Sequence, residues 1–242
     1  MIVTAKSDIG KMRTENQDRY RVCELSDDAA IAVVCDGMGG THGGGIASEI
    51  ASNAIYDRLC LSFRKDMEPR AVKTLMVSAV TAANTIVYDK SCEEPENHGM
   101  GTTCVAALVH SGMISIASVG DSRAYILDAT GIRQITSDHT VVEYLKSHGM
   151  IVDDEEAAGR IKNVITRAVG VEPGIDVDYF ELGAESGSRL LICTDGLTNY
   201  ATDAEIYEMT YKTAPENAVQ ELVNYANQSG GKDNITVALI TI

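Results

Sequence analysis

Four aspartates stand where an apolar run of the sequence meets a turn. Asp36 follows AIAVVC, Asp195 follows RLLICT, Asp121 follows ISIASVG, and Asp233 comes just before the apolar end ITVALITI. Strand ends can converge at one edge of a sheet, and converging carboxylates repel one another unless a cation or protons neutralise them. Carboxylate oxygens suit hard ions such as Mg²⁺ or Mn²⁺. Asp–Gly is also a common turn dipeptide, so each aspartate alone is typical of a turn, and only the set of four favours a cation site.

The stretch VVCDGMGG, Val33 to Gly40, has a second interpretation. A glycine-rich loop after a strand can cradle a phosphate through its backbone amides. Here no lysine followed by Ser or Thr closes the loop, and the spacing G-x-G-x-x-G is absent. The usual forms of the phosphate loop are therefore excluded, and the carboxylate is the group that the stretch offers.

The composition favours one large domain. A chain of 242 residues with 45% hydrophobic content has ample material for a packed core. The formal charge of −15 disfavours nucleic-acid binding through general electrostatics. An acidic chain can still handle an anion if a cation stands between them. The six cysteines are scattered without a C-x-x-C pair, which favours reduced, buried thiols over a disulfide framework or a zinc site.

No stretch approaches the roughly 18 uninterrupted apolar residues of a membrane span. The first residues also lack the apolar core of a signal peptide. We therefore expect no membrane insertion and a cytoplasmic location.

The elements that position the aspartates follow from the hydrophobic pattern. Helical spacing predicts one helix from Ile46 to about Phe63, a second from Pro69, a third after the capping box TDAE at 202–205, and a fourth from Pro215. Apolar runs separated by short gaps favour antiparallel strands. These runs cover residues 1–6, 19–25, 29–35, 102–110, 113–119, 123–128, 175–182, 188–194 and 234–242. Each helix carries one apolar stripe, so we expect helix pairs outside and antiparallel sheets inside. The inward-facing residues predicted for the second and fourth helices are Val72, Leu75, Met76, Ala79, Val80, Ala83 and Ile86, and Ala218, Val219, Leu222, Val223 and Ala226.

Six short motifs follow one another along the chain. They are RTENQD (13–18), DGMGG (36–40), GTT (101–103), GDSRAY (120–125), TDGL (194–197) and GGKDN (230–234). In this order and at these distances they resemble the metal-dependent protein serine/threonine phosphatases, the type 2C or PPM family, in its compact bacterial form. Each motif alone is weakly specific, but the ordered set is strongly specific and spans the whole chain.

The resemblance implies an α+β fold, a four-layer α-β-β-α sandwich in which two antiparallel β-sheets are flanked by helix pairs. This agrees with the arrangement expected from periodicity. It also implies a single catalytic domain over residues 1–242.

The resemblance further implies a centre with two Mn²⁺ or Mg²⁺ ions. Asp36 would bridge them, the carbonyl of Gly37 would bind one, and Asp195 and Asp233 would hold the other. Asp121 matches the position that helps to hold a third ion in bacterial relatives.

Two further residues would complete this centre. Asp18 would orient a water, and a hydroxide shared by the two ions would attack phosphorus. The guanidinium of Arg13 would bind the phosphate through its planar fork of donors.

The sequence departs from the family pattern in the stretch after Asp36. Met38 stands where some relatives have a histidine that can protonate the leaving group, and Gly45 stands where bacterial relatives usually have an acid. We interpret Met38 as a packing residue, His139 as a structural hydrogen-bonding residue, and Arg123 as an ion-pair partner within its hairpin.

Residues 138–170 correspond to a flap beside the active site in the family. Within this flap, GRIKNVITRAVG (159–170) is locally basic. We expect Arg160 and Lys162 to help receive phosphorylated protein segments. A solvated loop is the alternative for this strip.

The function that these observations predict is hydrolysis of phosphoserine and phosphothreonine in proteins. The expected partners are phosphorylated proteins, including a Ser/Thr protein kinase, and the expected state is a monomer. The main alternative is a non-catalytic metal-binding module that recognises phosphoproteins. A Ca²⁺-binding domain is disfavoured because no ligand-dense loop is visible.

Overall fold

The computed structural model describes residues 1–150, 161 and 163–242, except for the side chains of residues 41 and 42. Two antiparallel sheets form its centre. Sheet A contains, in spatial order, β1 (Ile2–Asp8), β11 (Ile235–Thr241), β10 (Arg189–Cys193), β7 (Arg123–Asp128) and β8 (Gly131–Gln134). Sheet B contains β2 (Asp18–Ser26), β3 (Ala29–Met38), β5 (Cys104–His110), β6 (Met113–Val119) and β9 (Asp178–Gly183), with the short β4 (Gly101–Thr102) paired to the end of β3.

Helices cover the outer face of each sheet. On sheet B lie α1 (Gly40–Ser62) and α2 (Pro69–Glu93), and on sheet A lie α5 (Asp203–Tyr211) and α6 (Pro215–Gln228). The short helices α3 (Val141–Ser147) and α4 (Asp195–Thr198) and a 3₁₀ turn at Pro95–Asn97 lie in the connections. The predicted four-layer sandwich is confirmed.

Three apolar clusters hold the layers together. One lies between α1–α2 and sheet B, one between the two sheets, and one between sheet A and α5–α6. Successive side chains of β3 point to opposite faces of sheet B, so this strand contributes to two of the clusters. Ile31 and Val33 face the helices, while Ala32 and Val34 face the other sheet.

The helical periodicity of α2 and α6 is confirmed with one exception. Every residue predicted for the inner face of α6 is buried. In α2 the buried stripe runs from Val72 to Val87, whereas Ile86, predicted to face inward, is 49% exposed. At 3.6 residues per turn the stripe continues from Val80 and Ala83 to Val87 rather than to Ile86.

The glycine-rich stretch was wrongly placed outside a helix. The first helix begins at Gly40 rather than at Ile46, so residues 40–45 are its first turns. Gly39 and Gly40 have φ of 129° and 71°, a region open to glycine, and they turn the chain from β3 into the helix. Glycine has low helix propensity, so local preference did not signal this start.

Several short elements also differ from the prediction. The strand predicted over 102–110 is divided into β4 and β5, and the one predicted over 175–182 is Asp178–Gly183. The elements β8, α3 and α4 had not been predicted. Each is only four to seven residues long, too short for a clear periodic signal.

The cysteines are free of disulfides, as predicted. Cys35, Cys104 and Cys193 are buried, Cys23 and Cys60 are half-buried with their sulfur atoms 3.8 Å apart, and Cys92 is exposed. The prediction that the cysteines are buried is therefore correct for Cys35, Cys104 and Cys193 and wrong for the others.

Among the described residues, one helix is long and apolar enough to cross a membrane. It is α2, judged by length and composition only. Its buried stripe packs into the cluster between α1–α2 and sheet B. A core helix of a globular protein passes the same test, so this is weak evidence for a membrane span.

Candidate active site

The four aspartates of the sequence pattern line one cavity. It has a volume of about 1000 Å³, and its walls include Arg13, Asp36, Gly37, Asp121, Asp195 and Asp233. Asp36 lies near the end of β3 and Asp121 just after β6, both in sheet B. Asp195 is the first residue of α4 after β10, and Asp233 precedes β11, both in sheet A. The site therefore forms where strand ends of the two stacked sheets meet.

The backbone of Asp36 is fixed from both sides. Its carbonyl accepts hydrogen bonds from the Thr102 hydroxyl and the Thr103 amide, each at 2.8 Å. Its own amide donates to the Thr103 hydroxyl at 2.9 Å. The motif GTT thus sets the position of this carboxylate.

Gly37 has a packing role that the sequence did not indicate. A Cβ atom built on it would lie 2.1 Å from the carbonyl oxygen of Gly44 and 2.7 Å from that of Gln17. Real Cβ atoms do not approach backbone oxygens so closely, so only glycine fits where α1 crosses β3. The predicted metal-binding role of the Gly37 carbonyl stays a prediction.

Asp18 lies behind the cavity wall, in register with Asp36 across the β2–β3 pair. It is 2% exposed. Its Oδ2 accepts a hydrogen bond from the Thr194 hydroxyl at 2.9 Å, while its buried Oδ1 has no hydrogen-bond partner. Burial raises the pKa of Asp18 to about 7, and the nearby hydroxyls of Thr236 and Thr194 oppose this shift.

The carboxylates raise one another's pKa. Burial, followed by repulsion from Asp18 and Asp195, holds the pKa of Asp36 well above its usual range. Burial and the charge of Asp195 raise the pKa of Asp121 to about 7. Burial and Asp233 raise the pKa of Asp195, against a hydrogen bond from Asn199. The cavity therefore has an excess of negative charge that favours a bound cation.

Arg13 forms an ion pair with Asp233. Its Nη2 lies 2.8 Å from Asp233 Oδ2, and this hydrogen bond is the main reason that the pKa of Arg13 is raised. The Arg13 side chain is 55% exposed and lies at the cavity mouth. The residue predicted to bind phosphate and one predicted metal ligand are therefore neighbours.

The candidate donor atoms are of the type that binds a hard metal ion, but the described side chains do not converge on one ion position. All the candidate donors are oxygens, they share one cavity, and Asp18 Oδ1 is buried without a partner. In the described part of the chain, however, no group of three or more His, Cys, Asp or Glu side chains is arranged to hold one ion. Asp233 Oδ2 points to Arg13, and Asp195 Oδ2 accepts from Asn199 at 2.9 Å. The donor set therefore suits a hard divalent ion, and Asp233 shares its Oδ2 with Arg13 in this arrangement.

Two interpretations of single residues are confirmed by their contacts. Arg123, at the start of β7, forms an ion pair at 2.6 Å with Asp138, which lies four residues after β8 and thus just beyond the hairpin. His139, 6% exposed, accepts a hydrogen bond from the Gly120 amide at Nδ1 and places Nε2 3.1 Å from Asp178. Met38 lies against β4 and borders the cavity. Arg160 and Lys162, predicted to contact substrate, lie outside the described residues.

Asn234 supports the site in a way that sequence reasoning missed. Its side chain accepts from the Gln17 amide at 2.8 Å and donates to the carbonyls of Ile9 and Glu15 at 2.9 and 3.0 Å. It thereby fixes the loop that carries Arg13 beside Asp233. In the sequence, the role of Asn234 was indicated only by its place in the motif GGKDN, next to the candidate ligand Asp233.

Comparisons with known proteins find relatives along nearly the whole chain. The family model for protein phosphatase 2C matches residues 11–239. The serine/threonine phosphatase stp of Listeria monocytogenes serotype 4b (strain F2365) is 36% identical over 241 residues, covering 97% of this chain and 93% of its own. Protein phosphatase PhpP of Streptococcus pneumoniae serotype 2 (strain D39 / NCTC 7466) is 31% identical over 244 residues, covering 100% and 98%.

Solved structures show the same fold. The S. agalactiae serine/threonine phosphatase superposes with a TM-score of 0.90 at 31% identity, covering 100% of this chain and 99% of that one. The Mycobacterium tuberculosis serine/threonine phosphatase PstP/Ppp superposes with a TM-score of 0.86 at 28% identity, covering 98% and 97%. With its motifs, its cavity and its two stacked sheets, the chain belongs to the protein phosphatase 2C family.

Proposed function

We propose that the protein is a metal-dependent phosphatase that hydrolyses phosphoserine and phosphothreonine in proteins. The proposal rests on family membership and on one observation, the four carboxylates that line a single cavity with Arg13 at its mouth. Such a cavity repels a phosphate unless cations neutralise it. A cation between carboxylates and phosphate lets an acidic protein act on an anionic substrate.

Asp36, the Gly37 carbonyl, Asp195 and Asp233 would hold two Mn²⁺ or Mg²⁺ ions, and Asp121 would contribute to a third. Divalent ions, when bound, lower the pKa of water and neutralise phosphoryl oxygens. Hard ions of this kind prefer oxygen donors. Mutual repulsion among these carboxylates supports the assignment, because it is relieved by a cation.

The chain's own groups would orient the substrate and hold a proton. Arg13 would bind the phosphoryl oxygens through its guanidinium fork. Asp18 has one free buried oxygen and a pKa of about 7. It would accept a proton from a water in the cavity wall and hold that water in position.

We further propose that residues 1–242 form one catalytic domain with a flap within 138–170. Its substrates would be phosphorylated proteins, including a Ser/Thr protein kinase. The protein would act in the cytoplasm as a monomer, and Arg160 and Lys162 would receive the phosphorylated segment.

Hydrolysis of p-nitrophenyl phosphate by the purified protein tests the chemistry, with Mn²⁺, with Mg²⁺ and with chelator. Asp36→Asn should lower kcat/KM by more than about 100-fold, which exceeds the 10- to 100-fold typical of residues that only support ligands. The exposed Asp89→Asn on α2 is the matched control and should leave turnover unchanged. Mn²⁺ binding is measured in parallel by calorimetry.

Three outcomes separate the alternatives. Turnover that needs metal and is lost in Asp36→Asn supports the phosphatase. A folded protein that binds Mn²⁺ without turnover would favour the non-catalytic module. Turnover that persists in chelator would contradict the metal-dependent mechanism.

A further inference from the structure

A second cleft opens beside the catalytic cavity. It has a volume of about 230 Å³, and two of its lining residues, Met38 and Ile165, also line the catalytic cavity. One water takes about 30 Å³ of liquid, so the cleft has room for a whole side chain. A chain segment bound at the four carboxylates would lie next to it.

Part of the wall of this cleft is apolar and part is polar. Val171 and Ile175 join Met38 and Ile165 in lining it. Gly101 of β4 lets two of these side chains pack on the backbone, since a Cβ built there would lie 2.6 Å from Val171 Cγ2 and 3.1 Å from Met38 Cε. The aliphatic stem of a long side chain would gain free energy by leaving water here.

The rim of the cleft carries two acidic side chains that no other described residue neutralises. Glu172 and Asp176 are exposed, and neither forms an ion pair with another described residue. The one cation of the described lining, Arg167, is paired with Asp178 at 2.8 Å. The rim therefore offers two carboxylates to a positive group.

The segment that forms the cleft is anchored on both sides. Asn84, buried in α2, accepts from the Gly170 amide at 2.7 Å and donates to the Glu172 carbonyl at 2.9 Å. Val169 exchanges two backbone hydrogen bonds with Thr102, at 2.8 and 3.0 Å. The cleft is thus preformed, which reduces the entropy cost of binding.

We propose that this cleft binds a lysine or arginine side chain that lies close to the phosphorylated residue of the protein substrate. The aliphatic stem would pack on the apolar part of the wall, and the charged head would reach Glu172 and Asp176 at the rim, as long cationic side chains commonly do. The inference rests on the proposed function, because it describes the flanking part of the same substrate.

The test uses phosphothreonine peptides of alanine background in which one lysine is moved stepwise along either side of the phosphorylated residue. At one position, lysine or arginine should raise kcat/KM about fivefold over alanine through a lower KM, the size expected for a partly exposed charge pair. Leucine at that position should give less, and glutamate should lower the value. In the double variant Glu172→Gln with Asp176→Asn the preference should disappear while turnover of p-nitrophenyl phosphate is unchanged.

The matched control is the double variant Glu68→Gln with Glu185→Gln, which neutralises two exposed acids outside the cleft. It should keep the lysine preference. Equal rates for all flanking residues, a leucine effect as large as that of lysine, or a preference that survives in the cleft variant would each overturn the proposal. An enzyme that turns over p-nitrophenyl phosphate but no phosphopeptide would overturn the proposed function together with the cleft.

Discussion

The carboxyl group of Asp18 is buried at a position where few hydrogen bonds from the protein replace those it would make to water. One of its oxygens is bonded to Thr194, and the other is buried without a partner. A buried carboxylate oxygen without a hydrogen-bond partner opposes folding whenever the carboxyl group is charged. Retention of an acid in such a place is typical of a functional site rather than a structural one.

We expect Asp18→Asn to stabilise the protein in chelator at pH 8 by about 2 kcal/mol, since each pKa unit corresponds to about 1.4 kcal/mol and repacking takes part of the gain. The folded-state pKa is raised to about 7 from an ordinary 3.8. Between these values the folded protein binds the proton and the unfolded chain does not, so the wild-type protein gains stability as pH falls from 7 to 4. The advantage of the variant should shrink over the same range.

Urea unfolding of both proteins at pH 8 and pH 5 measures this difference. The exposed Asp89→Asn serves as the control and should follow the wild type at both values. A variant that is less stable than the wild type at pH 8 would contradict the assignment of strain to Asp18.

At the level of elements, His139 connects three parts of the fold. Its Nδ1 accepts from the Gly120 amide at the turn after β6, so Nε2 carries the proton and faces Asp178 at the start of β9. Its carbonyl accepts from the Thr166 amide at 2.7 Å. His139 therefore positions the turn that carries Asp121 relative to the segment that borders the second cleft.

Two substitutions separate the two ends of this imidazole. His139→Asn keeps an acceptor near Nδ1 for Gly120, and His139→Gln keeps a donor near Nε2 for Asp178. Each should cost about 1–2 kcal/mol of stability, the typical loss for a buried hydrogen bond. Only His139→Gln should raise the Mn²⁺ concentration needed for half-maximal turnover, because it releases the turn that carries Asp121. Equal metal dependence in the two variants would argue against this positioning role.

The elements also show how far the sequence predicts the fold. Long periodic segments such as α2 and α6 were predicted correctly because apolar spacing is a local signal. The start of α1 at Gly40 was missed because glycine favours loops by propensity, while the close contact with Gly37 that stabilises it is tertiary. The set of aspartates was visible in the sequence. That Arg13 contacts Asp233, 220 positions away, was not, because nothing local specifies it.

At the level of the whole molecule, the two sheets share one core. The cluster between them draws Ala32 and Val34 from sheet B and Leu190, Ile192 and Ala238 from sheet A. Neither sheet buries this face without the other. The catalytic cavity lies where the strand ends of both sheets meet, so its geometry depends on their stacking.

We therefore expect the protein to unfold in a single transition, as one domain. Urea unfolding curves followed by far-UV circular dichroism and by tyrosine fluorescence should coincide. Leu190 is fully buried, so Leu190→Ala should lower the free energy of unfolding from both curves by about 2–5 kcal/mol. The substitution of the exposed Leu61→Ala should shift neither. Two separate transitions would show that the layers unfold independently.

The pairing of β1 with β11 has a consequence for the order of events during synthesis. Residues 2–8 leave the ribosome long before their partners at 235–241. Until then β1 lacks its neighbour, and Asp233 and Asn234 are missing from the cavity. Such long-range pairing makes folding slow and leaves an exposed strand edge in the nascent chain. A chain that stops short of β11 would consequently lack part of the proposed metal site, and its unpaired β1 would be open to a chaperone that binds extended segments.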